Sequence, residues 1–127
     1  MTESSWGYHL ILDVKGCDLV KSKDPIYIAD FVKELVNRID MVPYGEPQVI
    51  HFGEGELTGW TVLQFIQTSN IMGHFMDHNG DLYFDVFSCK NFDKQIVLDM
   101  LAEYFSPENV KHEFLIRQAW GYYECEY

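Results

Sequence analysis

The chain has 127 residues, a length that suits one domain with its own core, so residues 1–127 read as a single unit. Its 47% hydrophobic and 16% aromatic content excludes wholesale disorder, and no apolar run reaches the roughly 20 residues that cross a bilayer. A net charge of −11 argues against a nucleic-acid partner, whose phosphates require a basic face, and suits a cationic small molecule or plain solubility.

The opening Met1-Thr2-Glu3-Ser4-Ser5 has neither the basic stretch nor the apolar stretch of a secretory signal, so the expected location is the cytoplasm, with no membrane partner. Tyr8 to Val14 predicts a first strand, closed by Gly16. Cys17 follows; with Cys89 and Cys125 it makes an odd set of cysteines without a CxxC pair, so reduced thiols are expected. Asp24 before Pro25 signals a helix start, and Ile28, Phe31, Val32, Leu35, Val36 and Ile39 repeat at helical spacing. Val42-Pro43-Tyr44-Gly45 ends that helix.

Gln48 to Phe52 reads as a short strand and Gly53-Glu54-Gly55-Glu56 as a flexible acidic loop. A long strand runs from Trp60 to Gln67, up to Ser69. Ile71–Met76 and Asp81–Phe87 flank His78-Asn79-Gly80, a strong hairpin signal. A second helix spans Phe92 to Phe105, with Ile96, Val97, Met100, Leu101 and Tyr104 on its apolar face, and Ser106-Pro107 stops it. Val110 to Ile116 is a last strand, and the aromatic, acidic tail from Trp120 to Tyr127 shows no clear periodicity. This order predicts an α+β fold: a two-layer sandwich in which two helices cover one face of a mostly antiparallel sheet. The bare sheet face predicts a homodimer.

The chemistry centres on Ser69, His74 and Cys89. A serine hydroxyl next to a tightly held peptide can attack the preceding carbonyl, here that of Thr68, and shift the chain from amide to ester. Loss of the serine Cα proton then breaks the ester, leaving residues 1–68 and 69–127, and the dehydroalanine at position 69 hydrolyses to a pyruvoyl group. His74 is the natural proton carrier, because imidazole titrates near neutrality. Taken singly, Ser69 reads as a turn residue, His74 as structural and Cys89 as core. His74, Asp77 and His78 straddle a hairpin and lack the helical spacing of a metal site, so no metal is expected.

The arrangement resembles the small prokaryotic type of S-adenosylmethionine decarboxylase, a pyruvoyl enzyme of polyamine (spermidine) synthesis. The resemblance rests on Gly16-Cys17-Asp18, His51-Phe52, the spacing of Ser69, His74 and Cys89, and Asp85-Val86-Phe87-Ser88-Cys89, and covers most of residues 7 to 118. It implies cleavage between Thr68 and Ser69, a pyruvoyl cofactor made from Ser69, a processing role for His74 and proton return by Cys89. Thr58 or Thr61 would supply a hydroxyl that holds the ester. Phe52 would stack on adenine, with Glu54 or Asp77 near the ribose or sulfonium of S-adenosylmethionine. The chain departs from the family in having Thr68 where a glutamate or lysine is usual, and Phe75-Met76-Asp77-His78 where an aromatic and Pro-Glu are usual. These departures motivate a second reading, a non-processing relative that acts as a ligand-binding or regulatory partner. A third is a related activity on another amino acid or on the sulfonium itself.

Overall fold

A computed structural model describes residues 5–126. Residues 1–4, on which the reading against a secretory signal rests, and residue 127 lie outside the described residues. Strand β1 (Gly7–Lys15) leads to helix α1 (Pro25–Arg38), then to β2 (Gln48–Phe52), β3 (Gly59–Ile66), β4 (Ser69–Met76) and β5 (Leu82–Ser88). Helix α2 (Lys94–Phe105), β6 (Asn109–Arg117) and a short β7 (Glu124–Glu126) follow. Among the described residues the strands form one seven-stranded sheet in the order β2-β3-β4-β5-β1-β6-β7, antiparallel throughout.

Period-two alternation decides which side chains lie beneath the helices. Leu10, Leu12 and Val14 of β1, Ile71 and Phe75 of β4, and Leu82, Phe84 and Val86 of β5 point inward and are buried. They meet Ile28, Phe31, Val32 and Leu35 of α1 and Val97, Met100, Leu101 and Phe105 of α2 in one core. Phe31 sits at its centre, with ring centroids 5.7 Å from Phe84 and 5.0 Å from Phe105. This is the expected two-layer sandwich. The other residues of each strand, among them Ile11, Leu63, Phe65, Met72, His74, Tyr83 and Phe87, lie on a sheet face that neither helix covers.

Local chemistry fixes the element ends. The Asp24 carboxylate accepts from the Ile26 and Tyr27 N–H groups and caps α1. Asp93 caps α2 by accepting from Gln95 N–H, so that helix begins at Lys94 and Phe92 turns into the core instead. Gly80, at φ 76°, closes the β4–β5 hairpin, and an added Cβ there would run into the Cys17 carbonyl. Three segments differ from expectation. The acidic loop contains a short 3-10 turn at Gly55–Leu57. The tail adds β7, because Glu124, Cys125 and Glu126 pair with Ile116, Leu115 and Phe114. Ser69 begins β4 instead of following the end of β3, because it is the register partner of Ile66.

Candidate functional site

The β3–β4 register leaves only Gln67 and Thr68 in the turn, which places the Thr68–Ser69 peptide at the tip of a tight hairpin. The neighbouring strand then brings its end alongside, since Ser69 pairs with Ser88. Two hydrogen bonds fix the turn from outside: Gln67 N–H donates to the Val42 carbonyl and Cys89 N–H to the Thr68 carbonyl, each at 2.9 Å. The Ser88 hydroxyl donates to Thr68 Oγ1 at 2.7 Å. Asn70 Nδ2 donates to Ser69 Oγ at 3.3 Å. Ser69 itself has φ 156°, at the margin of the region that residues with a Cβ rarely adopt.

The carbonyl that the serine would attack is therefore already hydrogen-bonded to a main-chain amide. The donor belongs to the cysteine twenty positions downstream. The Cys89 side chain is exposed.

His74 lies elsewhere. It is the fifth residue beyond Ser69 on the same strand, about 16 Å away at strand rise and on the opposite pleat. Within one chain the structure does not bring the imidazole to the serine. It brings it to Thr61, the register partner of His74 across β3–β4. Thr61 Oγ1 and His74 Nδ1 are 3.1 Å apart, in a hydrogen bond whose direction follows the imidazole tautomer. Thr58 immediately precedes β3, and its carbonyl accepts from Asp77 N–H at 3.0 Å. Of the two threonines, Thr61 is the one whose hydroxyl meets the histidine.

A third cluster gathers at the far end of β4. His51 Nε2 and Asp77 Oδ2 are 2.6 Å apart, and the His51 ring packs on Trp60 with centroids 4.7 Å apart. Asp77 Oδ1 is buried without a hydrogen-bond partner among the described residues. Phe52, next to His51, is 58% exposed and presents its ring to solvent. Glu54 is exposed on the loop beyond it. The three residues His74, Asp77 and His78 diverge, towards Thr61, towards His51 and, at 4.0 Å, towards Glu56. Among the described residues no group of three or more histidine, cysteine or acidic side chains is placed to hold a metal, and no helix is long and apolar enough to cross a membrane.

The sequence singled out Ser69, Thr68 and Cys89 but not Ser88 or Met41, which contact Thr68 through space. Met41 Sδ lies 3.4 Å from Thr68 Oγ1. Their signal was faint: Ser88 is merely a small residue before a cysteine, and Met41 belongs to a loop 27 positions upstream. Cys17, by contrast, is a core thiol. Burial, and secondarily the Asp81 carboxylate, pushes its pKa from 9.0 up to about 12.

The sequence profile of a family described as S-adenosylmethionine decarboxylase matches residues 8–118. The S-adenosylmethionine decarboxylase proenzyme of Clostridium botulinum (strain Langeland) is 25% identical over 112 residues, covering 87% of this chain and 93% of that protein. The proenzyme of strain Loch Maree is 26% identical over 98 residues, covering 76% and 81%. In fold, the chain is similar to the crystal structure of the adenosylmethionine decarboxylase from Aquifex aeolicus VF5, with a TM-score of 0.78 at 18% identity over 93% of this chain and 95% of that one. A match across nearly the whole sheet-and-helix unit, including the segments that carry Ser69, His74 and Cys89, means that the chain belongs to the S-adenosylmethionine decarboxylase family.

Proposed function

We propose that the chain cuts itself between Thr68 and Ser69, converts Ser69 into a pyruvoyl group and uses it to decarboxylate S-adenosylmethionine, feeding spermidine synthesis. The observation that carries this reading is the Cys89 N–H on the Thr68 carbonyl at the tip of the hairpin. As Ser69 Oγ adds to that carbon, negative charge grows on the oxygen this amide already faces, and a preorganised donor is worth most at that moment. The amide nitrogen takes up a proton and leaves, giving an ester between Thr68 and the Ser69 side chain. Removal of the Ser69 Cα proton expels Thr68 as a carboxylate. Water then replaces the nitrogen of the resulting dehydroalanine, releasing ammonia and leaving a ketone.

The residues present fit such a group. Its carbon skeleton comes from Ser69, at the start of a strand and beside an exposed cysteine. A ketone there supplies an electron sink for loss of CO2. Cys89 lies on the adjoining turn, where its thiol can return a proton to carbon. Phe52 offers a ring for adenine, and Asp77 keeps one carboxylate oxygen for a ribose hydroxyl or the sulfonium charge.

Proton transfer during maturation falls to His74, with Thr61 holding the ester. Because about 16 Å separates Ser69 from its own His74, these groups come from a second copy that stacks on the open sheet face. The active form is then a homodimer with Ser69 and Cys89 from one chain and Thr61, His74, Phe52 and Asp77 from the other.

The test is a denaturing gel. Freshly purified protein converts on incubation to fragments of about 8 and 7 kDa, the products of a serine-dependent break, and Ser69→Ala stays intact. A single band that persists in the unsubstituted protein overturns the self-cleaving reading and favours the non-processing relative, whose binding of S-adenosylmethionine calorimetry would then measure.

A further inference from the structure

We propose that Ser88 is a positioning residue for the Thr68–Ser69 junction: its buried hydroxyl clamps the Thr68 side chain and thereby orients the peptide that Ser69 attacks. The role in cleavage rests on the self-cleaving reading above. The clamp itself does not.

Ser88 is fully buried. Lys90 N–H donates to its Oγ at 3.0 Å, and a main-chain amide can only donate. The Ser88 hydroxyl donates to Thr68 Oγ1, 2.7 Å away, and also lies 3.7 Å from Met41 Sδ. The Thr68 proton in turn points to Met41 Sδ at 3.4 Å. The chain of donors runs one way, from the Lys90 amide through two hydroxyls to a thioether, and each hydroxyl both accepts and donates. Two successive residues therefore anchor Thr68: Ser88 holds its side chain and Cys89 N–H holds its carbonyl. With both ends of that residue fixed, the carbonyl carbon cannot rotate away from Ser69.

The acceptor end is braced as well. Lys90 Nζ donates to the Asp40 carbonyl at 2.6 Å and to its carboxylate at 3.0 Å, which ties the segment carrying Met41 to the turn carrying Ser88. The clamp has a chemical consequence. Thr68 places a second hydroxyl next to the scissile bond, and a free hydroxyl there would compete for protons and for the carbonyl. Held between Ser88 and Met41, it does neither.

Two measurements test this. In a Ser69→Ala chain, which stays whole whatever the fate of the natural one, amide hydrogen exchange at Cys89 reports how firmly the Thr68 carbonyl is held. Ser88→Ala and Thr68→Val should each speed it about tenfold, the loss expected of one buried hydrogen bond, and Ser88→Thr should restore protection. Unchanged exchange in Ser88→Ala and Thr68→Val overturns the clamp.

In the otherwise natural chain, Ser88→Ala should slow the appearance of the two fragments about tenfold or more, while Ser88→Thr, which keeps the hydroxyl, cleaves near the natural rate. Equal cleavage rates for Ser88→Ala and the unsubstituted protein overturn the positioning role. Absence of cleavage in the unsubstituted protein sinks the self-cleaving reading alone, and exchange then decides the clamp by itself.

Discussion

Single side chains here divide by environment more than by type. Cys17 and Cys89 are both thiols, yet one is sealed beneath the β4–β5 hairpin and the other is exposed beside the hairpin turn. Burial raises the Cys17 pKa because the thiolate would lose its hydration, and Asp81 adds repulsion of like sign. A thiol reagent at pH 8 should therefore modify Cys89 and Cys125 in the folded protein and reach Cys17 only on unfolding. The same shift has a sign in stability. The folded pKa of about 12 exceeds the ordinary 9.0, so the folded state keeps a proton that the unfolded chain sheds above pH 9. The contribution is intact below pH 9 and is lost as pH rises towards 12. Urea titrations across that window should show a smaller fall in stability for Cys17→Ala than for the natural chain. An equal fall in both would contradict the assignment.

At the scale of elements, caps and turns set where the site falls. Helix α1 begins at Pro25 because the Asp24 carboxylate satisfies two amide groups that the first helical turn leaves bare. Asp24→Ala should cost about 1 kcal/mol, read as a lower urea midpoint at unchanged slope. The cost should be nearly absent in Asp24→Asn, which keeps an acceptor. Helix starts, apolar faces and the Asn-Gly hairpin were legible in the residues because each depends on neighbours a few positions away. The two-residue turn at Gln67–Thr68 was not. The apolar alternation of β3 continues past Ile66, and only pairing with β4 decides that Ser69 already belongs to the next strand. For the same reason β7 was not legible in the residues. Three alternating residues have no periodicity to detect, and they become a strand only because β6 offers an unpaired edge.

For the whole molecule, the helices occupy one sheet face and leave the other, with Phe65, Met72, His74, Tyr83 and Phe87, open. The proposed site needs that face, because the hydroxyl to be activated and the imidazole to activate it sit at different places along one strand. A mixing experiment follows. Ser69→Ala chains cannot be cut, and His74→Ala chains lack the proton carrier, so neither cleaves alone. In mixed dimers the His74→Ala chain should be cut, using the histidine of its Ser69→Ala partner. Replacing Thr61 by Val in the Ser69→Ala chain should slow this rescue, whereas Thr58→Val should leave it unchanged. If mixed dimers stay whole while the natural protein cleaves, His74 of a second copy is not the proton carrier.

By itself the sequence determined the periodic elements, the α+β class and the set of chemically able residues, because caps, turns and alternation act over a few positions along the chain. Tertiary structure decided which of those residues meet. Strand register turned a separation of twenty positions between Ser69 and Cys89 into adjacency, and joined His74 to Thr61 instead of Thr58. The same register kept Ser69 and His74 apart on a straight strand, although only five positions separate them. An extended backbone holds near neighbours at fixed distances and on fixed faces, while hydrogen-bonded pairing alone brings distant ones together.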